Sequence, residues 1–193
     1  MAASAAKHEV GEETQPRNQI NLNPIKRLFG RLFQPPQRHI EHYITNGQVA
    51  ADLGCKSGYY TLALAEYVGP QGRVYAVDLD EKCIRALTKK ADKRGYHNIE
   101  LHASSASDLS FIKDESVDFV LANGLLCSMS NRRKSAVNEI RRILKPKGQA
   151  YLSLGFPPPL GFVDRAEWEK ILEDFRVKRR GDGFLQKRAV VSV

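Results

Sequence analysis

Short apolar runs alternate with amphipathic segments through the middle of the chain. The segments between the runs repeat apolar residues every three to four positions, as Ile84, Leu87 and Ala91 do, which is typical of helices that pack on a sheet. Alternation of this kind predicts an α/β fold with a Rossmann-like, doubly wound and mostly parallel sheet. The apolar runs that we predict as its strands are residues 49–53, 73–78, 98–102, 117–122 and 150–154.

The carboxyl-terminal part of the chain departs from this alternation. A helix is predicted from Asp164 onward, with Trp168 and Leu172 on its apolar face. Gly181-Asp182-Gly183 then separates two β-rich segments, 175–180 and 184–193. These segments predict a C-terminal antiparallel hairpin, which brings the sheet to seven strands.

The amino-terminal part is predicted to stand before the sheet. Residues 1–20 contain few apolar side chains and are expected to be a flexible leader. Apolar residues at helical spacing in 23–33, and the prolines that follow, predict two short helices within residues 21–46. We therefore expect a single domain over residues 21–193, with 21–46 as lid helices.

A glycine-containing turn follows the first predicted strand. Gly54 and Gly58 allow the backbone to bend sharply and to approach a ligand closely. About 20 residues later the second strand ends in Asp78, where a carboxylate can accept hydrogen bonds from both hydroxyls of a ribose. These features predict a nucleoside site, and by themselves they fit a dinucleotide as well as S-adenosylmethionine.

Four stretches of the chain carry a more specific resemblance. The run Asp52-Leu53-Gly54-Cys55-Lys56-Ser57-Gly58 resembles the first motif of the class I S-adenosylmethionine-dependent methyltransferases, an acid-x-Gly-x-Gly-x-Gly pattern. Residues 74–80 resemble that family's second strand, residues 114–120 its acidic turn into strand four, and residues 139–148 its helix and turn before strand five. The resemblance covers about residues 36–193 and implies S-adenosylmethionine as cofactor.

The resemblance also implies which residues bind the cofactor. Gly54 and the Cys55 backbone are expected to line its methionine part, Asp78 to bind its ribose, and Leu79 to lie against the adenine. Ser105 and Ala106 match the family's pair at the adenine edge, and Asn123 is expected to face the methionine ammonium or the methyl group. The complete predicted set is Asp52, Gly54, Cys55, Lys56, Gly58, Asp78, Leu79, Ser105, Ala106 and Asn123.

Two of these positions depart from the family's pattern. Lys56 replaces the middle glycine, and Ser105 replaces an acid, leaving a neutral partner for the exocyclic amine of adenine. The departures keep open the interpretation that this is a binding protein, which retains the fold but does not transfer a methyl group. No base motif is present, so the catalytic residues are unknown. A surface cluster is the better interpretation of His39, His42 and Tyr43. Cys127 is better explained as a core residue and Asp118 as a structural one.

Charge and composition bear on the partners. The net charge is +8, and basic residues concentrate in 131–148 and 176–188. We predict a small-molecule acceptor, because no large insertion interrupts the domain and it looks most like the quinone-biosynthesis methyltransferases. RNA or a protein is the alternative acceptor, through the two basic segments. The three widely spaced cysteines and the absence of a signal peptide or an apolar run of about 20 residues predict a cytoplasmic protein without a structural metal.

Overall fold

The computed structural model of the protein describes residues 40–154, 165–182 and 187–193. The predicted leader, the helix over 23–33 and His39 lie outside the described residues. So do residues 36–39, the first part of the second predicted helix.

Strands and helices alternate from residue 49 to residue 154, as the hydrophobic pattern predicts, except that no helix lies between residues 103 and 117. The strands are β1 (Val49–Leu53), β2 (Arg73–Asp78), β3 (Ile99–Ala103), β4 (Val117–Asn123), β5 (Leu144–Leu154), β6 (Arg176–Asp182) and β7 (Lys187–Ser192). Within the described ranges the helices are α1 (Tyr59–Val68), α2 (Glu81–Lys93), α3 (Arg133–Ile143) and α4 (Arg165–Glu173), with a 3₁₀ turn at Leu126–Ser128.

The seven strands form one sheet in the order β3-β2-β1-β4-β5-β7-β6. Strands β1 to β5 pair in parallel, and β7 pairs antiparallel with both β5 and β6. The predicted fold class is therefore confirmed, including the C-terminal hairpin. The winding direction reverses between β1 and β4, and the crevice at the carboxyl ends of these strands is where such sheets bind ligands.

Apolar side chains cover both faces of the central strands. On β4, Phe119 and Leu121 belong to a core cluster on one face, whereas Val120 and Ala122 belong to the cluster on the other, and all four are fully buried. This explains why β4 has a continuous apolar run and not an alternating one. The sheet thus supplies a rigid base for the loops at its carboxyl edge.

The main difference from the predicted element bounds lies before β5. The helix α3 ends at Ile143, and the strand begins at Leu144 instead of at the predicted Ala150. Leu144 pairs with Val117, and an irregularity in the register follows before Phe119 pairs with Gln149. The pairing with β4 overrides the turn signal of residues 146–148. None of the described helices is long and apolar enough to cross a membrane.

Candidate functional site

The turn after β1 is bound to the end of β2 by backbone hydrogen bonds. The amide nitrogens of Gly54 and Cys55 both donate to the carbonyl oxygen of Val77, at 2.8 and 3.1 Å. Gly58 closes the turn by donating its amide hydrogen to the Cys55 carbonyl oxygen at 2.9 Å. Gly54 and Gly58 have φ angles of +78° and +86°, a region that side-chain-bearing residues rarely adopt.

Gly58 also lies directly against α2. A Cβ atom at this position would lie 2.1 Å from Cδ1 of Leu87, a fully buried residue. The turn and α2 can approach this closely because residue 58 has no side chain. The second glycine of the motif is therefore required both by its backbone angle and by packing.

Lys56, the residue that replaces the family's middle glycine, also has a positive φ, +48°. Its amide nitrogen donates to Oδ2 of Asp78 at 2.8 Å. Its side chain is exposed and makes no hydrogen bond or ion pair with the described residues. The turn and the strand-end acid, which the sequence identified separately, are thus joined by a direct hydrogen bond.

Asp78 keeps part of its hydrogen-bonding capacity. Its Oδ1 accepts from the amide nitrogen of Asp80 at 2.9 Å, and its Oδ2 accepts from Lys56. A carboxylate has about four lone-pair positions, so roughly two remain for further donors. The next residue, Leu79, is 67% exposed and presents an apolar side chain beside this carboxylate.

Asp52 has a different environment from Asp78. It is buried, and the Thr61 hydroxyl donates to its Oδ2 at 2.6 Å, which links β1 to α1. Burial, where the charged form is poorly solvated, is the main cause that raises the pKa of Asp52 from 3.8 to about 7; the hydrogen bond from Thr61 opposes this shift, and the nearby charge of Asp78 adds to it. The structure thus places the motif's acid beneath the turn, against α1.

Ser105 and Ala106 follow β3 at the same edge of the sheet. The Ser104 amide donates to the Asp78 carbonyl oxygen at 3.1 Å, which brings this segment beside the end of β2. The Ser105 hydroxyl shares a 2.7 Å hydrogen bond with the Ser107 hydroxyl, and Ala106 packs into the core. Both side chains therefore have partners within the protein.

Asn123, the last residue of β4, belongs to a polar network that the sequence did not indicate. Its Nδ2 donates to the Tyr60 hydroxyl oxygen at 3.0 Å, and its Oδ1 accepts from the Ser153 hydroxyl. The Gly124 amide donates to the Ser153 hydroxyl oxygen at 3.2 Å. The sequence places Ser153 near the carboxyl end of a predicted strand, and this was the only feature that could have pointed to the network.

The remaining candidates have structural environments. The side chain of His42 is 74% exposed beside Glu41, and Tyr43 stacks on Phe119 with ring centroids 5.9 Å apart. Cys127 is buried in the core. Asp118 accepts from the Val49 amide at 2.9 Å and from the Lys145 ammonium at 2.7 Å, which ties β4 to β1 and β5.

Several residues of the basic segment 131–148 are engaged within the fold. Arg142 donates to the carbonyl oxygens of Leu109 and Ile112 and pairs with Glu139 and Asp114, so it fastens the loop before β4 to α3. The pKa of Glu139 is lowered because Arg142 hydrogen-bonds to its charged form. Arg133, which is buried, pairs with Glu167, and Lys145 pairs with Asp118. This segment therefore offers fewer free cations than its composition predicts.

The second basic segment is more exposed. The side chains of Arg176 to Arg180 on β6 are exposed at the edge of the sheet. Arg180 pairs with Glu169 of α4 through both guanidinium nitrogens, at 2.9 and 2.5 Å. Basic side chains on an edge strand also prevent pairing with another sheet, so their exposure alone does not indicate a nucleic-acid site.

A cavity of about 620 Å³ opens at the opposite end of the strands. Its lining includes Val49, Arg73 and Ile99, the first residues of β1, β2 and β3. Ligands of open α/β sheets bind at the carboxyl ends, so we assign the candidate site to the turn and the ends of β2 and β4. Among the described residues, no group of three or more His, Cys, Asp or Glu side chains could hold a metal ion.

The chain resembles known methyltransferases in sequence. The family model described as "Methyltransferase domain" matches residues 50–148, which contain the turn, Asp78 and Asn123. Demethylmenaquinone methyltransferase of Geobacillus stearothermophilus is 34% identical over 105 residues, which are 54% of this chain and 44% of that protein. The protein of the same name from Geobacillus kaustophilus is 32% identical over 120 residues, 62% of this chain and 50% of that protein. The chain thus spans about half the length of these curated relatives.

Solved structures agree with the fold. A SAM-dependent methyltransferase from Aquifex aeolicus superposes with a TM-score of 0.72 at 26% identity, covering 88% of this chain and 93% of that one. A putative rRNA-methylase from Clostridium thermocellum superposes with a TM-score of 0.69 at 20% identity, covering 83% and 94%. At that identity the second likeness shows the fold alone.

Proposed function

Because the chain belongs to the methyltransferase domain family, among the class I S-adenosylmethionine-dependent methyltransferases, we propose that it transfers a methyl group from S-adenosylmethionine to a small molecule. The observation that carries the proposal is the hydrogen bond between the Lys56 amide and Asp78, because it places the glycine turn and the strand-end carboxylate in one site.

The residues of this site suit the cofactor. Asp78 retains acceptor capacity for the two ribose hydroxyls after accepting from Lys56 and Asp80. Leu79 offers an exposed apolar side chain for one face of the adenine. Gly54 lets the turn adopt a φ of +78°, and Leu125 packs against it, with Cδ1 3.1 Å from where a Cβ would lie. The Lys56 side chain is exposed, so it can turn toward the carboxylate of the cofactor.

The chemistry demands little of the protein beyond positioning. When bound, S-adenosylmethionine supplies a methyl group already activated by the positive sulfur. The chain must bind the adenosyl part, orient the acceptor in line with the methyl group, and exclude water. A dedicated base is needed only when the acceptor must lose a proton that it does not already give up to water.

The relatives favour a quinone-like aromatic acceptor. The two Geobacillus proteins are named for demethylmenaquinone, and the alignments cover more than half of this chain. We therefore propose a hydroxylated aromatic ring as the acceptor. The pairing of Arg133, Arg142 and Lys145 with acids of the same domain reduces the support for an RNA acceptor at the segment 131–148.

Calorimetry with S-adenosylmethionine and S-adenosylhomocysteine tests the proposal. We expect micromolar binding by the wild type, and a loss of about tenfold to hundredfold in Asp78→Ala, because each hydrogen bond to a charged group contributes about 1.5–3 kcal/mol.

Asp80→Asn is the matched control. It removes a neighbouring negative charge but keeps an oxygen that can accept from the Lys82 amide at the start of α2. We expect its affinity for the cofactor to stay within about twofold of the wild type. Absence of binding at millimolar cofactor would refute the proposal, as would equal losses in the two variants.

A further inference from the structure

The network around Asn123 has a defined hydrogen-bond direction. Ser153 is fully buried, and its hydroxyl oxygen accepts from the Gly124 amide while its proton goes to Oδ1 of Asn123. This arrangement fixes the amide of Asn123 with its oxygen toward Ser153 and its nitrogen toward Tyr60. The orientation follows from burial, because the proton of the fully buried Ser153 hydroxyl has no acceptor other than Asn123 among the described residues.

The direction of the network leaves the proton of Tyr60 available. The Tyr60 oxygen accepts from Asn123 at 3.0 Å, so its own hydrogen must point elsewhere. In the part of the chain that the structure describes, no acceptor is found for this hydrogen. Tyr60 is half-buried, and its hydroxyl lies beside the last residue of β4, at the crevice where the winding of the sheet reverses.

Neighbouring contacts hold Tyr60 in place. Thr61, the next residue, is hydrogen-bonded to Asp52, and the ring of Tyr59 meets the Tyr60 ring edge-on at 5.4 Å. Burial, together with the nearby phenols of Tyr151 and Tyr59, raises the pKa of Tyr60 above its ordinary value. Tyr60 therefore stays protonated at neutral pH and acts as a donor and not as a base.

We propose that the Tyr60 hydroxyl donates a hydrogen bond to an oxygen atom of the methyl acceptor, and that Asn123 and Ser153 are positioning residues that set its direction. The inference rests on the proposed function and deepens it, because it specifies an acceptor with a phenolic or enolic oxygen near the methylated atom. A donor at this place stabilises the ionised phenolate or enolate form of the acceptor, so that more of the bound acceptor has lost its proton to water and can attack the methyl group. The bond between the methyl carbon and sulfur then breaks, and its electron pair stays on the sulfur.

Methyl transfer from S-adenosylmethionine to 1,4-naphthalenediol, followed by mass spectrometry, tests this role. Tyr60→Phe keeps the ring and removes the donor, and we expect kcat/KM to fall about tenfold to hundredfold, as for the loss of one hydrogen bond to a charged or partly charged group. The affinity for S-adenosylhomocysteine should stay within about twofold. Tyr59→Phe, the neighbouring and 56% exposed tyrosine, is the matched control and should retain wild-type kinetics.

Asn123→Asp distinguishes a positioning role from a merely structural one. An aspartate at position 123 only accepts, so the Tyr60 hydroxyl must turn its hydrogen toward it and away from the acceptor. We expect this variant to lose the same factor in kcat/KM as Tyr60→Phe, and the double variant to lose no more. Thermal unfolding of each variant verifies that the comparison is made between folded proteins.

Each other outcome overturns a stated claim. Wild-type kinetics in Tyr60→Phe refute the role of Tyr60, and so do additive losses in the double variant. A loss of S-adenosylhomocysteine affinity in Tyr60→Phe assigns the hydroxyl to the cofactor instead. If the wild type binds S-adenosylhomocysteine but does not methylate the diol, the acceptor class is wrong and the inference fails with it. If it does not bind S-adenosylhomocysteine, the proposed function itself is refuted.

Discussion

Gly58 offers the sharpest test of how the glycine turn is built. Its φ is +86°, and a Cβ atom there would lie 2.1 Å from Cδ1 of Leu87 and 3.1 Å from its Cγ and Cδ2. Leu87 is fully buried, so its side chain cannot move aside into solvent. Gly58→Ala therefore combines an unfavourable backbone conformation with overpacking between the turn and α2.

Each of these effects has a known size. A left-handed backbone costs an L-residue about 1–2 kcal/mol, and overpacking a core costs about 1–3 kcal/mol. Replacing glycine also lowers the conformational entropy of the unfolded chain, which stabilises the folded protein by about 0.4–1 kcal/mol. We therefore expect Gly58→Ala to lower the free energy of unfolding by about 1–4 kcal/mol.

Gly95→Ala is the control that separates the two costs. Gly95 has a similar φ of +69°, and no atom lies within 4 Å of its would-be Cβ. The two alanine variants thus share the backbone cost and differ in packing. Urea unfolding should show Gly58→Ala less stable than Gly95→Ala by about 1–3 kcal/mol at an unchanged m-value. Equal stability of the two variants would refute the packing explanation.

Two further predictions concern charged side chains outside the turn. Because burial raises the pKa of Asp52 to about 7, the folded protein binds that proton more tightly than the unfolded chain, so this carboxyl makes the free energy of unfolding fall as the pH rises from about 4 to about 7. Asp52→Asn keeps an acceptor for Thr61 and removes the titration. In urea unfolding, the stability of this variant relative to the wild type should therefore increase between pH 5 and pH 8. A difference that stays constant with pH would contradict the raised pKa of Asp52. Arg142→Ala removes the donor to the carbonyl oxygens of Leu109 and Ile112 and should cost about 2–4 kcal/mol in the same assay. Arg141 makes only an exposed contact of 3.6 Å with the carboxylate of Asp174, so Arg141→Ala should cost less than about 1 kcal/mol. Similar costs for the two arginine variants would contradict the role of Arg142.

Local patterns were sufficient for most of the elements. The strands β1 and β2 have the predicted bounds, because short apolar runs and glycine turns mark them within a few residues. The start of β5 was wrong by six residues, since the pairing of Leu144 with Val117 joins positions distant in the chain. The basic segment 131–148 was interpreted from composition, which does not reveal the acids that lie opposite Arg133, Arg142 and Lys145.

The amino-acid sequence by itself determined the succession of strands and helices, the family, and the place of the glycine turn. These properties depend on periodicity and on residue types at short spacing. Only the tertiary structure decided which groups meet at the carboxyl edge of the sheet. The Lys56 amide reaches Asp78 across 22 positions, and Asn123 reaches Tyr60 across 63 and Ser153 across 30. The reason is physical: the direction of a hydrogen bond depends on strand order and register, and these are set by packing over the whole sheet.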